Sequence, residues 1–228
     1  MSKHSHASCR LAASIICGSP MSIEDDLAAL ERGGIDYIHF DVMDGVFVPR
    51  YGLFPEYLRA IRSKTKLPIE VDMMVQDPEP YIQDFVSARA TALTPHIEPL
   101  KHPHRTIRRI HEAGVLAGLA LNYGTPLSSL DYLLDDLDIV MLMAINPGIV
   151  GHKIIPGIMK KIEDLRKKID FANIDRDIIL EIDGGVTPDS GIRMLHAGAN
   201  MLVCGTGTIF QPPALLDEKI HSFRSTLQ

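Results

Sequence analysis

The sequence has no tryptophan, and aromatic residues make up only 6% of the chain. Its apolar runs are short, and none reaches the roughly 18 residues that a membrane-spanning helix requires. The first ten residues, MSKHSHASCR, contain no apolar core, so they are a poor candidate for a signal peptide. We therefore expect no membrane partner.

Cysteine is also scarce. The chain contains Cys9, Cys17 and Cys204, which is an odd number at long spacings. This pattern disfavours a disulfide scaffold and a zinc knuckle, and it fits a protein of the reducing cytoplasm. We interpret Cys9 as part of a flexible N-terminal tail formed by residues 1–10.

Positive charge is not in excess. The chain has 23 Lys and Arg residues against 29 Asp and Glu residues, for a net charge of -6. No basic stripe stands out, so we expect no nucleic-acid partner. Hydrophobic residues make up 46% of the 228 residues and occur throughout. This composition predicts a globular chain with a sizeable core rather than a disordered one.

Eight short apolar runs alternate with amphipathic stretches of helical length. The predicted strands are Leu11–Cys17, Tyr37–Asp41, Ile69–Met73, Ala92–His96, Leu116–Leu121, Ile139–Ile145, Ile178–Ile182 and Met201–Cys204. The predicted helices are Ser22–Arg32, Pro55–Ser63, Pro78–Ala90, Arg105–Ala113, Pro126–Leu134, Gly157–Ile169 and Pro188–Ala197. The first of these begins with a pattern similar to a capping box, Ser22 to Asp25.

This repeated alternation predicts an α/β fold with a parallel sheet and crossover helices. One closed (β/α)8 barrel, the TIM barrel, accounts for residues 11–228 as a single domain. A doubly wound open sheet is the alternative. It requires a glycine-rich phosphate turn after the first strand, where the chain offers only Gly18.

Acidic side chains and one histidine lie near the predicted carboxyl ends of the strands, where such barrels carry their active sites. His39 and Asp41 are two residues apart, so both face the same side of their strand. Asp72 and Asp183 come from two other strands and could converge with them. One imidazole with three carboxylates suits a divalent ion such as Mn, Fe, Mg or Zn. Taken singly, each acid could instead be salt-bridged or solvated.

Glycines cluster after the last two strands. Gly184 and Gly185 follow the seventh, and Gly205-Thr206-Gly207-Thr208 follow the eighth. Loops at these places often bind phosphate through backbone N–H groups, although tight turns would also use glycine. The segment Asn146–Gly151 after the sixth strand is either a lid or a turn.

At these residues the sequence resembles the ribulose-phosphate 3-epimerase family. The matching segments are IHFDVMDGVFVP (38–49), NPGIVGHKIIP (146–156), EIDGGV (181–186) and AGANMLVCGTGTIF (197–210), with weaker matches at SII, HIE and LNYGTPL. They cover nearly the whole chain. Orotidine-phosphate-type decarboxylases share the barrel but use a D-x-K-x-x-D strand, and no Lys follows Asp41 here.

The resemblance implies a metal-dependent epimerase acting on a small phosphorylated ketose. One carboxylate removes the C3 proton, a divalent metal stabilises the cis-enediolate, and a second carboxylate returns a proton from the opposite face. By resemblance, Asp41 and Asp183 are these acids, and both bind the metal together with His39 and Asp72.

The resemblance also implies a substrate-binding surface. Its phosphate-binding and loop residues are Gly148, Ile149, Val150, Gly151, Gly184, Gly185, Gly205 and Thr206. The methionines near the enediolate are Met43, Met74 and Met143, although core packing alone would also explain methionine at these places.

Several positions depart from the family pattern. Asp72 stands where the family has a metal-binding His, which favours harder ions such as Mn or Mg or displaces the metal. Cys17 replaces a family Ser at the substrate site, and the 148–152 loop lacks one glycine and the following Gln. The segment Arg50–Phe54 also differs. These changes all concern the sugar end of the substrate.

The leading hypothesis is therefore a ketose-phosphate 3-epimerase, with ribulose 5-phosphate and xylulose 5-phosphate as its substrates. An epimerase for another ketose phosphate, such as allulose 6-phosphate, is the near alternative. A non-catalytic sugar-phosphate-binding protein and a metal-dependent aldolase are further alternatives. Barrels of this size often assemble, so we also expect a homo-oligomer.

Overall fold

The computed structural model describes residues 9–149, 151, 153–172, 174–211 and 215–227. Eight parallel strands close into a barrel in chain order, which confirms the predicted fold. The strands are β1 (Arg10–Ser14), β2 (Tyr37–Met43), β3 (Ile69–Met74), β4 (Ala92–Pro95), β5 (Leu116–Leu121), β6 (Ile139–Met143), β7 (Ile179–Asp183) and β8 (Met201–Cys204).

The described α-helices pack outside the barrel. They are α1 (Ile23–Gly33), α2 (Pro55–Arg62), α3 (Ile82–Ser87), α4 (Pro103–Glu112), α5 (Ile158–Ala172), α6 (Pro188–His196) and α7 (Leu216–Thr226). A single 3-10 turn, Glu79–Tyr81, precedes α3. None of the described helices is both long enough and apolar enough to cross a membrane.

The predicted helix Pro126–Leu134 is wrong. The described residues between β5 and β6 form two short 3-10 turns, Leu127–Leu130 and Leu134–Asp136. The segment is rich in Ser and Asp, whose side chains compete for backbone hydrogen bonds. The hydroxyl of Ser129, for example, donates to the carbonyl oxygen of Pro126 at 2.7 Å.

The start of the chain differs from prediction in three details. β1 includes Arg10 and ends at Ser14, since Ile15–Cys17 form a 3-10 turn. Cys9 packs against the core, whereas residues 1–8 of the predicted tail lie outside the described ones. The Ser22 side chain makes no capping hydrogen bond to α1. A true capping box begins α6 instead.

The interior of the barrel is layered because alternate residues of each strand face inward. Small and apolar side chains form one cluster toward the amino-terminal end of the barrel: Ala12, Ala92, Ile139, Ile179 and Met201, with Tyr37 beside them. Val203 belongs to this cluster and also lines the cavity above it. The register of β2 on β3 pairs His39 with Glu70 and Asp41 with Asp72. Polar side chains therefore enter the barrel two layers deep, above an apolar floor.

Four side chains at the amino-terminal ends of the strands form what we call the amino-terminal ring: Asp36, Thr91, Asp138 and Asn200. Each precedes an even-numbered strand and accepts a backbone N–H from the strand before it. The donors are Leu11 to Asp36 (2.8 Å), Ile69 to Thr91 (3.0 Å), Ala117 to Asp138 (2.9 Å) and Leu180 to Asn200 (2.7 Å). The ring supplies partners for backbone groups that would otherwise lack one.

Candidate active site

Four of the predicted residues converge inside the barrel. One ligand atom from each of His39, Asp41, Asp72 and Asp183 lies within 4.8 Å of the others. Period-2 alternation places His39 and Asp41 on the inner face of β2, and strand pairing sets Asp72 beside Asp41. Asp183 reaches the same place from the end of β7.

His39 is fully buried and has carboxylates on both sides of its ring. Its Nε2 lies 3.6 Å from Asp41 Oδ1 and 4.0 Å from Asp72 Oδ2. Its Nδ1 lies 2.8 Å from Glu70 Oε2 and 3.3 Å from Glu181 Oε1. The sequence predicted no role for Glu70 or Glu181. The signal was present, because each lies two residues before a predicted ligand.

We call these five acids the carboxylate cluster: Asp41, Glu70, Asp72, Glu181 and Asp183. In the described part of the chain, their only ion-pair partners within 4 Å are His39 and His96. Burial raises the pKa of Asp183 to about 6 and that of Glu181 to about 8, and neighbouring carboxylates add to both shifts. The pKa of Asp72 also lies well above its usual range, mainly because of burial.

The donor set fits a divalent cation. His39 Nε2 and both carboxylate oxygens of Asp72 are buried and have no hydrogen-bond partner among the described residues. Buried acids are costly unless they are paired, protonated or bound to metal. One imidazole nitrogen and three carboxylates satisfy the ligand preferences of ions such as Mn²⁺ or Mg²⁺. A cation at this place would satisfy these atoms together.

A cavity of about 510 Å³ opens above these residues. Asp41 and Asp183 line it, and the hydroxyl of Ser14 donates to Asp41 Oδ2 at 2.8 Å. Ser14 had no predicted role. The other predicted residues that line the cavity are Cys17, Met43, Met74, Met143, Gly148, Ile149, Gly151, Gly184, Gly185, Gly205 and Thr206. Val150, also predicted, lies outside the described residues.

The turn after β7 is built from glycine for steric reasons. Gly184 and Gly185 have φ values of 99° and 63°, which L-residues rarely adopt. A Cβ on Gly184 would lie 2.4 Å from the side chain of Ile145. Directly after the turn, the Thr187 side chain accepts the N–H of Ser190 and caps α6. Both glycines and Thr187, the residue that caps α6, therefore line the cavity.

A second histidine lies beside the cluster. The fully buried His96 has Nε2 3.5 Å from Asp72 Oδ1 and Nδ1 3.2 Å from Glu98 Oε2. Burial opposes ionisation of Glu98. Hydrogen bonds from His96, Thr125 and the N–H of Asn122 outweigh it and lower the pKa of Glu98 to about 2. The sequence predicted no role for His96, the last residue of a predicted strand, or for Glu98.

Comparison with known proteins decides the family. The ribulose-phosphate 3 epimerase family matches residues 10–210 of the chain. The chain belongs to this family. A ribulose-phosphate 3-epimerase from Bacillus subtilis is 39% identical over 202 residues, which are 89% of this chain and 93% of that protein. A chloroplastic ribulose-5-phosphate-3-epimerase from Arabidopsis thaliana is 41% identical over 195 residues, covering 85% and 69%. The protein is thus an isomerase, an epimerase acting on carbohydrates.

Several solved structures of other enzymes have a fold similar to that of this chain. Phosphoribosyl anthranilate isomerase from Thermus thermophilus aligns with a TM-score of 0.66 at 18% identity, over 96% of this chain and 98% of that one. Orotidine 5'-phosphate decarboxylase from Pyrococcus horikoshii also gives 0.66, at 12% identity, over 95% and 98%. At these identities the likeness concerns the barrel alone, because one fold supports many chemistries.

Proposed function

We propose that this epimerase interconverts ribulose 5-phosphate and xylulose 5-phosphate by proton transfer at C3. The observation that carries the proposal is the convergence of Asp41 and Asp183 from two separate strands, β2 and β7, on one cavity. Inversion of a carbon centre needs an acid on each face, because one base returns the proton to the face from which it came.

The two carboxylates have different surroundings. Asp41 accepts the Ser14 hydroxyl, which holds one of its oxygens in place. Burial raises the pKa of Asp183 to about 6 in the absence of a cation, and a bound cation would lower it. In the proposed reaction Asp183 holds the proton in one direction, while Asp41 accepts the proton from the other face.

His39, Asp41, Asp72 and Asp183 are the residues that would hold a divalent cation. When bound, it would supply positive charge to stabilise the negative charge that develops on the substrate oxygens. We propose that Asp72 shifts the preference of this site toward Mn²⁺ or Mg²⁺ and away from Zn²⁺, since a carboxylate is a harder ligand than an imidazole. Titration of the apo protein and an Asp72→His variant with Mn²⁺ and Zn²⁺ tests this preference.

The phosphate group would lie at the glycine turns after β7 and β8. Gly184 and Gly185 bring backbone close to the cavity, and the capped start of α6 adds a favourable helix dipole. Binding there would direct the sugar of the substrate toward Asp41 and Asp183. We further propose that the enzyme acts in the cytoplasm as a homo-oligomer.

Proton NMR in D2O tests the reaction directly. Metal-stripped protein receives Mn²⁺, Mg²⁺, Fe²⁺ or Zn²⁺ in turn with ribulose 5-phosphate. We expect loss of the C3–H signal together with the appearance of xylulose 5-phosphate. Absence of exchange with every metal would exclude ribulose 5-phosphate as the substrate.

One observation favours a second candidate, an epimerase for a six-carbon ketose phosphate such as allulose 6-phosphate. Cys17 and Arg50, two departures from the family pattern, both line the cavity. Comparing kcat/KM for the pentulose and hexulose phosphates decides between the candidates. Normal turnover of the pentulose with none of the hexulose rules out the second.

A further inference from the structure

The contact between Asp72 and His96 brings together two atoms that are both acceptors when the carboxylate is ionised and Nε2 carries no hydrogen. Asp72 Oδ1 and His96 Nε2 are 3.5 Å apart, and both residues are fully buried. Neither atom has a hydrogen-bond partner among the residues that the structure describes. A buried pair of this kind is expensive unless something positive lies between the two atoms.

The other side of the His96 ring determines where its lone pair lies. Glu98 Oε1 accepts the N–H of Asn122 at 2.7 Å and also the hydroxyl of Thr125. Glu98 is thereby held as an acceptor, and its Oε2 faces His96 Nδ1 at 3.2 Å. Nδ1 must then carry the hydrogen, which leaves the lone pair of a neutral ring on Nε2, directed toward Asp72.

This arrangement is how proteins prepare a metal-binding histidine. A carboxylate on one ring nitrogen sets the tautomer and raises the basicity of the other. The ring of Phe47 packs on His96 with centroids 4.9 Å apart and restricts its rotation. The ring is therefore oriented on both its edge and its face before any ligand arrives.

We propose that His96 is a further ligand of the metal and shares the cation with Asp72. His96 would then be the second imidazole of the site, beside His39. The inference rests on the proposed function, because it uses the same metal site. It adds a strand, β4, to the strands that hold the ion, since His96 directly follows that strand.

Cobalt NMR counts the imidazole ligands. The apo protein, labelled with 15N-histidine, is loaded with Co²⁺, which shifts the N–H protons of bound imidazoles far outside the normal range. We expect two such signals in the unmodified protein, from His39 and His96, and one in His96→Gln. The matched control His104→Gln changes an exposed histidine and should keep two.

A double-mutant cycle with Asp72→His provides the second readout. In the unmodified background, His96→Gln should lower Co²⁺ affinity by about 100-fold or more, beyond the ~10–100-fold range typical of groups that only orient a ligand. With Asp72→His present, an imidazole already lies at position 72, and His96→Gln should lower Co²⁺ affinity by less than about 10-fold.

The outcomes separate this inference from the proposed function. One shifted signal in the unmodified protein, or an equal loss of affinity in both backgrounds, would overturn the role of His96, and a proton alone would then lie between it and Asp72. Two signals without C3–H exchange would support the ligand but overturn the epimerase reaction on ribulose 5-phosphate. Failure of Co²⁺ to bind would overturn both the ligand and the metal site.

Discussion

The two ends of the barrel place similar side chains in opposite situations. At the amino-terminal end, Asp36 and Asp138 each accept a backbone N–H from the neighbouring strand and also contact a cation or histidine, Arg224 at 2.7 Å and His111 at 2.9 Å. Toward the carboxyl end, the carboxylate cluster is buried around His39 with no Lys or Arg within 4 Å among the described residues.

This difference separates stability from function. A carboxylate that accepts a backbone N–H stabilises the fold, typically by about 1–3 kcal/mol when its loss leaves a buried donor unpaired. Acids that are buried close together without a positively charged partner destabilise the fold, and binding of a cation offsets this cost. The acids that stabilise the fold thus lie at the amino-terminal end of the barrel, and the acids of the carboxylate cluster lie toward the carboxyl end.

The largest expected effect is the loss of activity when one of the two acids proposed for catalysis is removed. Asp41→Asn or Asp183→Asn, assayed at saturating metal, should lower kcat for epimerisation by about 10²–10⁴-fold, the usual contribution of general acid–base catalysis. The unfolding temperature of the metal-free protein should stay the same or rise, because a buried negative charge is lost.

Asp177→Asn is the matched control at the opposite end. It removes an exposed carboxylate that pairs with Arg10 at 3.2 Å, so activity and stability should both remain near those of the unmodified protein. Full activity of both Asp41→Asn and Asp183→Asn would contradict the assignment of these two acids to proton transfer.

Metal removal should affect the cluster and leave the amino-terminal ring unaffected. At a Mn²⁺ concentration 100 times its Kd, binding should stabilise the fold by about 2.7 kcal/mol. For a chain of this length, that corresponds to a rise in Tm of about 5–10 °C. Thermal melts with EDTA and with Mn²⁺ measure the difference. Asp72→Asn should reduce the rise, whereas an equal rise in that variant would exclude Asp72 as a ligand.

Loss of a residue of the amino-terminal ring should lower the stability of the fold and leave catalysis unchanged. Asp138→Ala removes the acceptor for the Ala117 N–H and the partner of His111. We expect a loss of about 1–3 kcal/mol in the free energy of unfolding, with kcat unchanged. Urea denaturation and a parallel assay measure both quantities. Asp135→Ala, a nearby exposed acid, should change stability by less than about 0.5 kcal/mol. A large drop in kcat for Asp138→Ala would show that the two ends are not independent.

A further prediction concerns pH. Burial raises the pKa of Asp183 from 3.8 to about 6 and that of Glu181 from 4.5 to about 8. At a pH between the ordinary and the raised pKa of each group, the folded apo protein binds more protons than the unfolded chain. Its stability should therefore fall as pH rises from about 4 to 8. Urea titrations of metal-stripped protein check the slope. Asp183→Asn should flatten it below about pH 6, and a slope of opposite sign would contradict the shifts.

Much of the fold followed from local pattern. Apolar runs and helix periodicity predicted eight strands, and the barrel closed as expected. The errors lie where local signals are weak. The turns of 127–136 were taken for a helix, and α7 was missed because it buries few residues, among them Ile220 and Phe223. Glycine spacing was a better guide, since Gly184 and Gly185 line the cavity.

The candidate active site also contains some features that local sequence pattern predicted and others that it did not. Period 2 along β2 was enough to place His39 and Asp41 together, because alternation is a property of a single strand. That Glu70 and Glu181 would contact His39 depends on the register between strands, and so on the shear of the closed barrel. The contact of His96 with Asp72 likewise needs β3 and β4 side by side.

The sequence alone therefore determined the family, the (β/α)8 architecture and the two acids proposed for catalysis, because these depend on residue types at short spacings. Only the tertiary structure decided which acids are left without donors and which imidazole faces Asp72. Those properties depend on burial and on distances between strands far apart in the chain. A buried carboxylate has the same one-letter code as a solvated one, and only packing distinguishes them.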